Sequence, residues 1–277
     1  MLFPVDGHAI DYEVRLPSET RSPAEGRDVL LVHGLTTDRR ILVEACDEVL
    51  ARAGLRRIYL DLPGHGASRG NPGRAGADDL VDALAAFVRA TCAQPPLVVA
   101  YAFGAYLAQG LVPLVELSGL CLLCPVVEAD FGKRTTPPRF IAAHDEELPF
   151  SGDEREPPAF LEVAVRQTRE VLARFQAVVH PANAAIDGDV VGAVRARYAM
   201  ARPYAHALPA FERPVAIACG RHDHWVGFED ACRLARMLPR SSLTVVPDCG
   251  QLLPLEAPDA VRAVLVEWLA RAGVAVP

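Results

Sequence analysis

The apolar run Leu97-Val98-Val99 leads directly into Ala100-Tyr101-Ala102-Phe103-Gly104. A buried strand ending in a small-x-nucleophile-x-Gly turn lifts its middle residue above a sheet, where it can attack a carbonyl. Here the middle residue is Ala102, and a methyl group cannot serve as a nucleophile. Covalent serine chemistry is therefore absent from the chain as written. A second chemically loaded stretch is Gly220-Arg221-His222-Asp223-His224-Trp225-Val226. Asp223 is a candidate base, because apolar surroundings would raise its pKa towards neutrality. His224 and His222 flank it as candidate acid–base groups. Adjacent residues rarely converge on one ion, so no metal is expected there.

The elements that must place these residues follow from hydrophobic periodicity. Strands are expected at Ala9–Leu16, Val29–Val32, Ile58–Leu60, Leu97–Tyr101, Leu120–Leu123, Val215–Cys219 and Leu243–Val246. A turn rich in Pro, Ser and Glu separates the first two. Between the later strands, Ile41, Leu42, Ala45, Val49 and Leu50 share one helical face, as do Leu80, Val81, Leu84, Phe87 and Val88. Further helices are expected after Phe103, over Glu229–Leu238, and around Val261, Val264, Leu265, Trp268 and Leu269. Strands alternating with helices imply an α/β fold, a mostly parallel central sheet with helices on both faces. The alternation breaks between about Val126 and Leu208. Asp145–Pro158 reads as an acidic, proline-rich loop, and Phe160–Val179 and Asp189–Met200 carry helical patterns. The expected division is a core of residues 1–125 and 209–277 with a helical cap inserted at 126–208.

Composition excludes several classes. The 277 residues are 51% hydrophobic, with a net charge of −7, and Lys133 is the only lysine. No basic stripe suggests a nucleic-acid partner. No apolar run reaches the ~18 residues needed to span a membrane. The start, Met1–Asp6, lacks a positive segment followed by an apolar one, so a cytoplasmic protein is expected. The seven cysteines sit mostly in apolar segments and read as reduced core thiols, including the Cys121-Leu122-Leu123-Cys124 pair. No phosphate-binding loop, strand-linked G-x-G-x-x-G or metal-ligand cluster is visible, so no cofactor is expected.

Five segments together resemble the α/β-hydrolase fold family. They are Leu31-Val32-His33-Gly34-Leu35, Asp61-Leu62-Pro63-Gly64-His65-Gly66-Ala67-Ser68, the Ala102 turn, the Asp223 turn, and Pro247-Asp248-Cys249-Gly250-Gln251-Leu252-Leu253-Pro254-Leu255-Glu256-Ala257-Pro258. The resemblance implies that Ala102 and Gln251 stand where the family has its nucleophile and its histidine, while Asp223 keeps the acid. It also implies an oxyanion hole from the backbone N–H groups of Leu35 and Phe103, and a substrate pocket touched by His33, Tyr101, Ala102, Trp225, Gln251 and Leu252. An amide cannot accept a proton near neutral pH, so Gln251 is no general base.

An oxyanion hole needs only main-chain donors, so it can outlast the serine. The resemblance therefore implies a non-hydrolytic enzyme acting on a carbonyl-bearing small molecule: a lyase, isomerase or cyclase, as in natural-product pathways. Two alternatives stand beside it. One is a non-catalytic ligand-binding homologue. The other is a hydrolase whose nucleophile has been replaced by alanine, against which Gln251 argues. His144, His180, Tyr204 and His206 in the cap are further candidates for reaching the pocket.

Overall fold

The structure is a computed structural model describing residues 1–17 and 27–277. The expected turn between the first two strands falls largely on residues 18–26, outside the described residues. The first half runs β1 (Leu2–Val5), β2 (His8–Arg15), β3 (Asp28–Val32), α1 (Arg40–Arg52), β4 (Arg56–Leu60), α2 (Ala77–Thr91), β5 (Leu97–Tyr101), α3 (Phe103–Leu111) and β6 (Gly119–Leu123). An excursion follows with β7 (Ala143–His144), α4 (Glu156–Val163), β8 (Arg166–Gln167), α5 (Arg169–Ala184) and α6 (Gly188–Ala196). The chain then returns through β9 (Val215–Gly220), α7 (Phe228–Met237), β10 (Ser241–Val246), α8 (Leu253–Glu256) and α9 (Pro258–Arg271).

Among the described residues, eight strands form one sheet in the order β1-β2-β4-β3-β5-β6-β9-β10. From β4 to β10 the pairs are parallel, whereas β1 and β2 pair antiparallel at one edge. Every residue of β3, β5, β6 and β9 is buried. That explains why these strands read as continuous apolar runs, since a sheet covered on both faces has no polar side to alternate with. The strand order reverses between β3 and β5, because β4 extends the sheet outward from β3 and later strands extend it the other way. The crevice beyond the carboxyl ends of β3 and β5 is the place such sheets bind ligands.

Three local departures from the periodicity have clear causes. Leu2–Val5 forms β1, which lies against β2 with Leu2 opposite Asp11, and Phe3 meets the Phe87 ring edge-on. The single expected helix over Phe160–Val179 is interrupted between α4 and α5. Glu256 on α8 takes the N–H groups of Val165 and Arg166 at 2.7 and 3.0 Å, which pulls them out of the helical ladder. Thr168 then caps α5 by accepting from Val171 N. The expected helix over Asp189–Met200 ends at Ala196, and the chain bends so that the Met200 N–H donates to the Tyr106 hydroxyl.

Candidate functional site

Ala102 sits at φ 51° and ψ −115°, between β5 and α3. An L-residue with a Cβ is strained there by ~1–3 kcal/mol, and such strain persists where the surroundings dictate it. Gly104 supplies the fit: a Cβ on it would lie 2.3 Å from the His33 carbonyl and 2.4 Å from that of Val32. Gly34 does the same from the other side, since its Cβ would lie 2.9 Å from that of Ala102. Bare glycines thus let the ends of β3 and β5 meet. Thr36, one residue past Leu35, also has a positive φ of 67°, an uncommon conformation for a β-branched residue. The N–H groups of Leu35 and Phe103 find no acceptor among the described residues. The Phe103 N–H is also the first of α3, where helix dipole and unpaired donors favour negative charge.

The loop after β4 braces this turn from behind. Leu62 N–H donates to His33 Nε2 at 2.8 Å, so His33 Nδ1 carries the proton and donates to the Gly34 carbonyl. Both ring nitrogens are therefore occupied, and burial pushes the His33 pKa down to about 4. His65 accepts from Thr36 N–H at 3.3 Å and is likewise neutral, its pKa lowered by burial to about 4. Asp61 binds the Arg39 guanidinium and main chain.

Asp223, wholly buried after β9, accepts the N–H groups of Trp225 and Val226 at 2.9 and 3.0 Å. With the nitrogen of the Gln251 amide facing it, Gln251 donates to both carboxylate oxygens, at 3.2 and 2.7 Å. An amide brings no positive charge to replace lost water. Burial consequently dominates and lifts the Asp223 pKa to about 7, despite the two N–H donors. The Gln251 turn is itself pinned twice. Its carbonyl accepts from the Tyr101 hydroxyl at 2.8 Å, and the neighbouring Gly250 N–H donates to Glu256 at 2.6 Å.

Above Ala102 lies a cavity of about 650 Å³, within the range of small-molecule sites. Of the residues expected at substrate, Leu35, Tyr101, Ala102, Phe103, Trp225, Gln251 and Leu252 line it. Three stand apart from its wall. His33 is engaged in the brace just described. Asp223 lies behind Gln251. His224 is half-buried outside the wall, and its Nε2 bonds the Glu162 carbonyl at 2.9 Å. The cap candidates His144, His180, Tyr204 and His206 also miss the wall: His180 lies 3.5 Å from Asp153, and Tyr204 packs edge-on against Tyr106.

The polar residues that do reach the cavity from the excursion are Arg134, Glu162, Asn183, Arg195 and Tyr198. Periodicity could not expose them, because their direction is decided by tertiary packing. The one local signal was Phe131, three residues before Arg134, and the Arg134 guanidinium stacks 3.8 Å from that ring's centroid.

The chain matches the alpha/beta hydrolase family over residues 29–264, and it belongs to that family. Among solved structures, an alpha/beta superfamily hydrolase from Oenococcus oeni PSU-1 is 21% identical, with a TM-score of 0.84 over 96% of this chain and 97% of that one. A thermophilic esterase from Thermogutta terrifontis is 24% identical, with a TM-score of 0.71 over 96% and 94% of the two chains. A bromoperoxidase from Bacillus anthracis is 17% identical, with a TM-score of 0.72 over 95% and 96%. At these identities the likeness is one of fold. No curated protein matches the chain. Among the described residues, no helix is long and apolar enough to cross a membrane.

Proposed function

We propose that this protein binds a carbonyl-bearing small molecule and transforms it without an acyl-enzyme, by a lyase, isomerase or cyclase reaction. In this reading residues 126–208 cap a core of 1–125 and 209–277. The Leu35 and Phe103 N–H groups take the carbonyl oxygen and stabilise the enolate that forms when an adjacent C–H proton leaves. Donors of this kind are worth ~3–4 kcal/mol each in other enzymes. Glu162, the carboxylate on the cavity wall, receives the proton. His224 holds the Glu162 main chain, and Asp223 holds Gln251 in place, so both act as positioning residues. The carrying observation is that strain at Thr36 and Ala102 persists around two unpartnered donors, although Ala102 presents only a methyl.

The reading is tested by incubating the protein with aryl ketones in deuterated buffer and following loss of α-proton signal by NMR. Exchange above the buffer rate is expected, falling at least tenfold in Glu162→Gln. The parent chain and Ala102→Ser are both expected to lack a p-nitrophenyl acetate burst, while the double variant Ala102→Ser/Gln251→His acquires one. A burst from Ala102→Ser alone would show a working serine site and sink the proposal. The second reading, a non-catalytic ligand-binding protein, draws on Asp223 and His224 both lying outside the cavity wall. It predicts ligand-induced melting shifts with no exchange.

A further inference from the structure

Thr36 and Asn183 both line the cavity, and among the described residues neither the Thr36 hydroxyl nor the Asn183 amide makes a hydrogen bond. Both residues are half-buried, and these polar atoms are open rather than enclosed. Thr36 is held in place against its own preference. A φ of 67° is a genuine outlier for a β-branched residue, and strain of that kind points to function where the surroundings enforce it. The enforcement comes from buried His65, which accepts the Thr36 N–H at 3.3 Å. Thr37, the next residue, turns its own hydroxyl back to the Gly34 carbonyl at 3.0 Å. Of the two threonines after Leu35, only Thr36 therefore leaves a hydroxyl free. Asn183 comes to the same wall from the last turn of α5. Four residues further on, the Asp187 N–H donates at 2.9 Å to the carbonyl of Gly64, the neighbour of His65. The end of α5 is thus tied to the loop that holds Thr36, whereas its earlier turns give the wall only Phe175 and Val179.

We infer that Thr36 and Asn183 form a polar subsite beside the two main-chain donors, and that the molecule taken by this cavity carries a second oxygen, as carbonyl or hydroxyl, two carbons from the carbonyl bound at Leu35 and Phe103. This rests on the proposed carbonyl-binding function and names its substrate class. Consecutive Cα atoms are about 3.8 Å apart. Groups met by the Leu35 N–H and the Thr36 hydroxyl therefore lie close together, as the oxygens of a 1,3-dioxygenated chain do. A hydroxyl and an amide can each donate or accept, so the subsite suits either form of the second oxygen. Where that oxygen is a carbonyl, it also acidifies the C–H between the two. The proton passes to Glu162, and the electron pair of the C–H bond passes to the oxygen held by the two N–H groups. Binding both oxygens fixes the reacting carbon between them, an entropic contribution independent of any protein nucleophile.

The test uses three probes with one carbon skeleton: 1-phenylbutan-1-one, 3-hydroxy-1-phenylbutan-1-one and 1-phenylbutane-1,3-dione, with binding read by titration calorimetry. At least one of the two oxygenated probes is expected to bind about fivefold or more tightly than the plain ketone, the scale of one or two neutral hydrogen bonds. Thr36→Val keeps the β-branch and the size and removes only the hydroxyl. It should bring the oxygenated probes to within about twofold of the plain ketone, while Thr36→Ser should retain the preference. Asn183→Ala alters the other side of the subsite on a separate element. It should reduce the same preference, which keeps the test decisive if a substitution at the strained position disturbs folding. No binding by either oxygenated probe, equal binding across the three, or a preference that survives both Thr36→Val and Asn183→Ala would each overturn the inference. Failure of the parent function reads differently: the second oxygen would then be preferred in a Thr36-dependent manner, yet no aryl ketone would exchange its α-protons above the buffer rate.

Discussion

On the sheet side of the cavity, Leu35, Ala102 and Phe103 present main-chain atoms set by the ends of β3 and β5. On the opposite side, Arg134, Glu162 and Tyr198 line the cavity from loops and short helices of the excursion. The floor is made of positive-φ residues and bare glycines, each leaving a mark on the local sequence. The roof is made of rotamers that only packing can choose, such as the 4.6 Å contact between the Phe103 and Tyr198 rings. Under the proposed function, the floor supplies one fixed electrostatic device and the roof decides which molecule uses it. It also makes the joint between the two halves the most sensitive point in the site.

That joint is Glu256. Its buried carboxylate accepts Gly250 N–H from the floor and Val165 and Arg166 N–H from the roof. Removing it strands three donors, each worth ~1–3 kcal/mol when buried and unmade. Glu256→Ala is expected to lose ~3 kcal/mol or more in urea unfolding. Ligand binding should also weaken, because the Gln251 turn and the α4–α5 break both lose their anchor. A loss under ~1 kcal/mol would mean that floor and roof are held together by packing alone.

Asp223 offers a gentler way to probe the floor. Unfolded, its carboxyl titrates near 3.8; folded, burial lifts it to about 7. The native state therefore holds the extra proton across that window. The stability this group contributes is full below about 4 and is lost as pH rises to about 7. His33 and His65 act in the opposite sense. Their depressed pKa values make the unfolded state the better proton binder between about 4 and 6.5, so their contribution rises with pH. The two trends offset one another in the parent chain, which leaves the difference from Asp223→Asn as the informative quantity. The asparagine can still accept from Trp225 and Val226 and can donate to the Gln251 oxygen. Its unfolding free energy is expected to gain on the parent's by at most about 1.4 kcal/mol per pH unit, levelling above about pH 7. A gap that does not change with pH would show that Asp223 stays ionised throughout.

The same contrast governs how much was legible in the sequence. The parallel strands could be read because a doubly covered sheet demands unbroken apolar runs. The Ala102 turn could be read because it needs small residues at fixed spacing. Gln251 could be set beside Asp223 through the resemblance of two turns, although nothing local shows them touching across 28 residues of chain. Side-chain direction was the part that escaped. His224 had the right chemistry and neighbourhood, yet its ring bonds the Glu162 carbonyl. Arg134 sat in an unremarked loop. The α4–α5 break was invisible because its cause, Glu256, lies about 90 residues downstream.

The smallest expected effect bears on why the floor keeps its strain. If Ala102 occupies φ 51° and ψ −115° against its own preference, a glycine at that position should relieve the conflict. Relief of ~1–3 kcal/mol is offset by the ~0.5–1 kcal/mol that glycine's looser unfolded chain takes back. Ala102→Gly is therefore expected to raise stability by roughly 1 kcal/mol in urea unfolding. The removed methyl lies at the van der Waals edge of the cavity, so the carbonyl probe should lose little contact. Affinity for it should nevertheless fall a few-fold, because a glycine lets the Phe103 N–H wander from its alignment with Leu35. A variant that is more stable and binds worse would show strain serving the alignment of two donors. If stability dropped instead, the β3–β5 junction would be the comfortable conformation for this chain, and the floor would owe its shape to packing, as the roof does.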